Sequence, residues 1–315
     1  MQKVKKAGLG QNNLKSKLFY AALVLIPSLQ FLIFYVFVNI NSFSLAFKVY
    51  PSGAKMEDYF DFDYGWKNFT TWFTNDQKNG DLMAAIGVSL KSYAISFCVS
   101  VPLGLFFSYY MFKRMPGAKL FRVLLFLPSI ISGAVLAVIF KYVTCRALGG
   151  TDGILTDWFD KNIDLWQTHN RYGWTMFFNI FVGFGTSVLM YTNKMDSIAP
   201  EIVESAHLDG ADGIKEFWFV ILPQAFSIVQ VFLMTGFAGI FSNQLNLHML
   251  FPAQTGRERD LQTVGYLLWR NVNGAAGNIT ALPPYAALGL MITIIIVPLT
   301  FLLRWTMQKI GWKED

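Results

Sequence analysis

Apolar stretches near 18–40, 84–112, 120–144, 173–192, 217–242 and 285–304 alternate along the chain with polar segments. A helix needs about 20 apolar residues to cross the hydrocarbon core of a bilayer. The pattern therefore predicts an all-α polytopic membrane protein with six transmembrane helices. It divides the chain into a basic N-terminus (1–17), a first span (18–40), an external connection (41–83), a five-helix core (84–304) with an inside loop at 193–216, and a tail (305–315). The first span follows basic residues, as a signal peptide would. Its apolar run is too long for that role and no A-x-A-like cleavage site closes it, so it reads as an uncleaved anchor.

Composition agrees with a bilayer as solvent. Of the 315 residues 54% are apolar and only 15% are charged, against roughly 25% charged in an ordinary soluble domain. A soluble monomer could not cover its surface with so few charges, and a disordered chain needs the opposite balance. Two cysteines, Cys98 and Cys145, offer neither a disulfide framework nor a thiolate metal cluster.

The placement of charge sets the orientation. With both termini inside, the inner segments hold Lys3, Lys5, Lys6, Lys15 and Lys17, then Lys113, Arg114, Lys119 and Arg122, and finally Arg304, Lys309 and Lys313. That is the sense of the positive-inside rule. The 193–216 loop breaks it, with Asp196, Glu201, Glu204, Asp209, Asp212 and Glu216 against Lys194 and Lys215. Outside, the 41–83 connection is rich in aromatics, including Tyr64, Trp66, Phe69 and Trp72, either as interface-belt residues or as a docking surface for an external partner. Asn68 and Asn278 match the N-x-[ST] glycosylation pattern.

Several function classes are disfavoured. The six spans contain no Asp, Glu or His, whereas ion-coupled carriers keep such groups in the membrane for relays or ion sites. Lys91 and Lys141 lie near the outer ends of their spans, within snorkelling reach. There is no G-x-S-x-G, H-E-x-x-H or C-x-x-C, so no catalytic or metal site is expected. Without a G-x-x-x-x-G-K-[ST] loop the chain lacks that route to ATP. Energy for active transport would have to come from a partner.

Residues 198–224 read IAPEIVESAHLDGADGIKEFWFVILPQ. Pro200 suits a first helical turn, and Glu201 and Glu204 favour the positive helix N-terminus. About two and a half turns follow before Gly210, which can adopt a left-handed cap. Ile202 and Ala206 share a face, Ala206 being small enough for another surface to approach. The segment is thus a short strut with exposed acids, either a solvated connector or a lever against a cytoplasmic protein. His207 and His248 receive no role, since an isolated His is more often a surface or capping residue.

This segment resembles the EAA loop of permease subunits of ATP-binding-cassette importers. The matching residues are Glu204, Ser205, Ala206, Asp209, Gly210, Ala211, Phe217, Ile221, Leu222 and Pro223, with Ser205 in place of the usual Ala. LVLIPSLQFLIFYVF in the first span, GWKNFTTWF at 65–73, FRVLLFLPSIISGAVLAVIFKYV at 121–143 and DGILTDWF at 152–159 are similar, in order, to the first permease of carbohydrate importers of the maltose and glycerol-phosphate type. The stretch NLHMLFPAQTGRERD from 246 to 260 departs from the family's Gly-Gly-Pro turn.

The resemblance implies a type I importer permease in a bacterial cytoplasmic membrane, forming half of a pathway with a second permease subunit. Two cytoplasmic ATPase subunits would bind ATP and Mg, and an external solute-binding protein would deliver a carbohydrate. This chain would bind no cofactor, and no nucleic acid is among its partners. Glu201, Glu204, Ser205, Ala206, Asp209, Gly210 and Ala211 would form the coupling surface: Glu204 meets polar groups of the ATPase, Ala206 packs, and Gly210 turns the chain. Ser132, Gly183, Thr186 and Asn243 fall where family pockets are lined. Gln230 and Asn179 add uncharged polar groups, and Phe237 and Phe241, one turn apart on the fifth span, add flat apolar faces. Each could equally serve helix packing. A non-sugar importer permease, a secondary carrier and a structural membrane protein are the alternative classes.

Overall fold

Helix covers most of the described chain because its long apolar runs leave backbone groups no partner in lipid except one another. The computed structural model describes residues 14–49, 59–144, 171–251, 259–274 and 281–310. The basic segment before residue 14, Cys145, the 152–159 segment, Asn278 and the tail after 310 lie outside the described residues. The chain divides into one unit of residues 1–70 and 278–290 and a second of 71–277 and 291–315.

In the first unit, α1 (Leu14–Phe31), a π-helical stretch (Leu32–Phe37) and α2 (Val38–Ala46) follow one another without interruption. Phe19–Ala46 is long and apolar enough to cross a membrane. Up to residue 43 nearly all of its side chains are exposed, as expected of a helix whose solvent is lipid, and Ala46 at its end is buried. Beyond it, β1 (Lys48–Val49) pairs antiparallel with β2 (Tyr59–Phe60), Lys48 facing Phe60, and α3 (Phe62–Thr74) begins. Phe47 stacks on Phe62 with ring centroids 4.9 Å apart, and Gly65 lets α3 lie against the Phe47 backbone. Asn68 turns inward. Its Nδ2 donates to the Ala46 and Lys48 carbonyls at 2.9 and 3.1 Å, so the amide that matched a glycosylation pattern holds the strand to α3.

The second unit is built around α4 (Asp76–Phe112), which starts at an Asn75 cap accepting from the Lys78 amide. Its main neighbour is α7 (Arg171–Asp196). Small residues allow the close approach: Gly104 lies under the Tyr191 ring, and Ser108 Oγ donates to the Val188 carbonyl at 2.9 Å. On the far side of α7, Gly185 faces the Leu125 carbonyl of α5 (Ala118–Ile130), where a Cβ would collide.

Two predicted spans are corrected. The third is not one helix, because α5 and α6 (Gly133–Thr144) meet at 105° around Ile131 and Ser132. Pro128, which lacks an amide hydrogen, and Gly133 weaken the helix on either side of the break without by themselves forcing it. The fifth runs as α9 (Ile214–Glu216), a π-helical stretch (Phe217–Ile221) and α10 (Leu222–Ala238), and ends before 242. Leu245 and Asn246 then take left-handed φ of 49 and 50°. This turn is held by Asn179, whose Nδ2 donates to the Leu245 carbonyl and whose Oδ1 accepts from Asn246 Nδ2, both at 2.8 Å.

The strut predicted from sequence is α8 (Pro200–Leu208). After the turn that follows α10 come α11 (Leu247–Leu250), a single 3₁₀ turn (Arg259–Leu261) and α12 (Val264–Gly274), so the stretch between the fifth and last spans is partly helical. The last helix, α13 (Leu282–Ile310), contributes residues to both units. Among the described residues, five helices are long and apolar enough to cross a membrane, or six spans with the bent α5–α6 pair as one.

Candidate functional site

The strut takes its shape from its ends. Pro200 opens α8 and Asp209 is its C-cap. Gly210, at φ 78°, donates its amide to the His207 carbonyl at 3.0 Å, and Ala211 donates to the Ala206 carbonyl at 2.9 Å. This pair of bonds is a Schellman motif, which satisfies the last carbonyls and stops the helix sharply. A second left-handed glycine, Gly213 at φ 58°, follows. Neither glycine has an atom within 4 Å of where a Cβ would stand.

No residue of α8 is fully buried. Val203, rather than Ile202, turns toward the cluster formed by Leu105, Tyr191, Met195 and Ile221, and Ala206 is half-buried. Glu201, Glu204, Ser205 and Asp209 are exposed. So are two large apolar side chains that sequence reasoning passed over, Leu208 at 90% and Ile214 at 77%. They flank the acids on either side of the Gly210 turn.

Behind this surface lies a polar cluster. Glu216 is 0% exposed. Its Oε2 accepts from Lys113 Nζ at 2.9 Å and lies 3.2 Å from His207 Nε2, while Oε1 accepts from Lys113 at 3.2 Å. The Tyr109 hydroxyl donates to the Gly213 carbonyl at 2.9 Å and stands 3.3 Å from Glu216 Oε2. On its other nitrogen His207 meets Asp212 Oδ1 at 2.9 Å. The two carboxylates thus sit on opposite sides of the imidazole and do not converge on a common point. Among the described residues no group of three His, Cys, Asp or Glu is placed to hold a metal.

A cavity of about 190 Å³ lies between α4, α7, α10 and the start of α12. One face of α4 supplies Ser89, Ser92, Ser96 and Ser100, at helical spacing. Asn243 and Thr263 close one side, and the Tyr93, Phe97 and Phe232 rings add apolar faces. Part of the polar lining is already engaged: Ser89 Oγ accepts the Val264 amide at 3.0 Å, Ser92 bonds Tyr172, and Thr263 Oγ1 donates to the Asn243 carbonyl at 2.6 Å. The cavity is uncharged, with hydroxyls and rings interleaved.

Of the pathway residues expected from sequence, only Asn243 lines this cavity. Ser132 sits exposed at the α5–α6 break, and Gly183 and Thr186 are exposed on α7, where Ser187 takes the lining position. Gln230 donates to the Met307 carbonyl at 3.2 Å and joins two helices. Phe237 lies edge-on to Tyr93, but Phe241 falls beyond the helix, so the two are not an aromatic pair on one helical face. The α4 serines were missed because they read as ordinary polar interruptions of an apolar run. His207, expected to be a surface or capping residue, is exposed in the last turn of α8 and also joins the Glu216 cluster.

The family described as binding-protein-dependent transport system inner membrane component matches residues 100–311. The chain is 29% identical over 206 residues to the multiple sugar-binding transport system permease protein MsmF of Streptococcus mutans, covering 65% of this chain and 69% of that protein. It is 27% identical over 244 residues to the galactooligosaccharides transport system permease protein GanP of Bacillus subtilis, covering 73% and 57%. To the maltose/maltodextrin transport system permease protein MalF of Escherichia coli it is 22% identical over 205 residues, covering 64% of this chain and 40% of that one. In fold it is similar to a chain of a bacterial alginate ABC transporter crystallised with an alginate pentasaccharide-bound periplasmic protein. That match has a TM-score of 0.75 at 18% identity, over 94% of this chain and 96% of the other.

Proposed function

Because the chain belongs to the family of binding-protein-dependent transport system inner membrane components, we propose that it is one permease subunit of an ATP-driven carbohydrate importer. In this reading a second permease completes the pathway, two cytoplasmic ATPase subunits drive it, and a solute-binding protein delivers an oligosaccharide. Both termini and the α8 strut face the cytoplasm. The observation that carries the proposal is the strut itself, a capped helix between two spans with acids, Leu208 and Ile214 exposed around it. Such a face suits a cleft in the ATPase that offers both polar and apolar contacts. Glu201, Glu204 and Asp209 meet donors, Ser205 and Ala206 admit close approach, and Gly210 and Ala211 form the turn. Closure of the ATPase dimer on ATP would shift the strut, and the spans would follow by rigid-body motion.

The names of the relatives support a sugar, and so does the chemistry of the α4 cavity, since hydroxyl and amide groups beside aromatic faces fit a neutral polyol. At about 190 Å³ the cavity is smaller than a usual ligand site of roughly 300–1,000 Å³. It serves as one half of a site that the second permease completes. Ser132, Gly183, Thr186, Phe237 and Phe241 remain lining groups for the remainder of the pathway, while Gln230 is a packing residue.

Purification of the chain with its co-encoded partners, followed by ATP hydrolysis in lipid with the binding protein and a panel of oligosaccharides, tests the reading. Stimulation by one loaded oligosaccharide is expected. Retained ATPase without stimulation by any sugar removes the carbohydrate assignment, and no associated ATPase removes the coupling role of α8. Within that assay Glu204→Lys and Gly210→Pro are expected to abolish uptake in inserted protein, and normal uptake by an assembled Gly210→Pro complex would sink the α8 assignment.

A further inference from the structure

The strut joins the membrane helices through a weak point. Between α8 and α9 the chain passes Asp209–Gly213, where Gly210 and Gly213 are both left-handed and open to their surroundings. Glycines without side-chain contacts leave such a turn easy to flex. A push on α8 would be absorbed there unless another connection carried it past the turn. Val203 supplies one apolar contact on the core side of α8. The other connection is polar and spans the turn: His207, in the last turn of α8, and Lys113, just beyond α4, meet on the same Glu216 oxygen.

Glu216 is unlike the other acids of the loop. It is fully buried, where an unpaired carboxylate is costly, and its oxygens are met by Lys113, His207 and Tyr109. Tyr109 also holds the Gly213 carbonyl, so α4 grips both the second glycine and the carboxylate. Asp212, inside the turn, takes the remaining imidazole nitrogen. Each element that must move together for a displacement of α8 to reach α4 therefore contributes a group to one cluster.

We propose that Glu216 is a positioning residue that clamps the coupling helix, through His207, to the Lys113 end of α4, so that the two move as one body when the ATPase closes. This rests on the reading of α8 as the ATPase-docking helix. Lys113 is the partner that holds Glu216 in place, and the turn glycines supply the shape of the loop without carrying force.

The test uses the assembled complex with Cys98→Ser and Cys145→Ser, spin labels at Ile202→Cys on α8, an exposed position outside the docking residues, and Phe106→Cys on α4, and distances read without nucleotide and after trapping with ATP and vanadate. With Glu216 intact the distribution should be narrow and the same in both states. In Glu216→Gln it should become roughly two-fold wider or shift between states, on the scale of helix displacements in switching proteins, with the ATPase still retained. His207→Ala, at a half-exposed position whose loss does not threaten folding, should change it in the same direction. A narrow, nucleotide-independent distribution in either assembled variant overturns the proposal, as does a wide one with Glu216 intact. Failure of the intact protein to retain ATPase subunits instead overturns the docking role of α8, and is visible before any distance is read.

Discussion

Leu208 and Glu216 are eight residues apart and have opposite fates, each against its type: the leucine is 90% exposed and the glutamate 0%. An exposed leucine on a polar strut has a consequence at the residue scale. Burial of a leucine side chain stabilises an interface by roughly 1.5–3 kcal/mol, and 1.4 kcal/mol corresponds to about tenfold in binding. Leu208→Asp should therefore lower ATPase retention by about tenfold or more in a pull-down from detergent, with membrane insertion unchanged. Full retention would place the docking contacts on the acids alone. Sequence could find the acids, the Gly210 cap and the helix, because each follows from local chemistry. It could not separate Glu216 from Glu201 and Glu204, because what distinguishes it is Lys113, 103 positions away.

Small residues bring several of the described helices close together. Gly104 and Ser108 on α4, and Gly185 on α7, allow backbones to approach where lipid offers no hydrophobic drive for association. Gly185→Ala would drive its Cβ into the Leu125 carbonyl and force α5 away from α7. Overpacking of this kind costs about 1–3 kcal/mol, so the thermal midpoint of the purified complex should fall. Gly87→Ala, on a part of α4 with nothing within 4 Å, should leave it unchanged or raise it. Equal midpoints for the two variants would mean that the α5–α7 contact does not limit stability. The long apolar helices were legible because hydropathy reports the solvent. The bend between α5 and α6 was not, since Pro128 inside an apolar run is compatible with a continuous helix and only the packing of α6 against α11 makes the break pay.

At the scale of the molecule, α4 reaches both the polar cavity and the cluster behind α8, so the proposed coupling has one element through which to act. Its serine face borders the cavity, and its far end carries Tyr109 and leads into Lys113 at the Glu216 cluster. A displacement delivered at one end of such a helix would alter the cavity at the other. The expected pathway residues came from aligned positions (Ser132, Gly183, Thr186 and Asn243) or from polar and aromatic groups near the fifth span, whereas α4 offers only hydroxyls scattered through a hydrophobic run. Their common face appears once the helix is seen against α7 and α12. Ser96→Trp should fill the cavity and abolish sugar uptake while ATPase retention and basal hydrolysis persist. If uptake continues at the normal rate, the solute passes elsewhere and the serine face of α4 serves only to seat α12, through bonds such as that from the Val264 amide to Ser89.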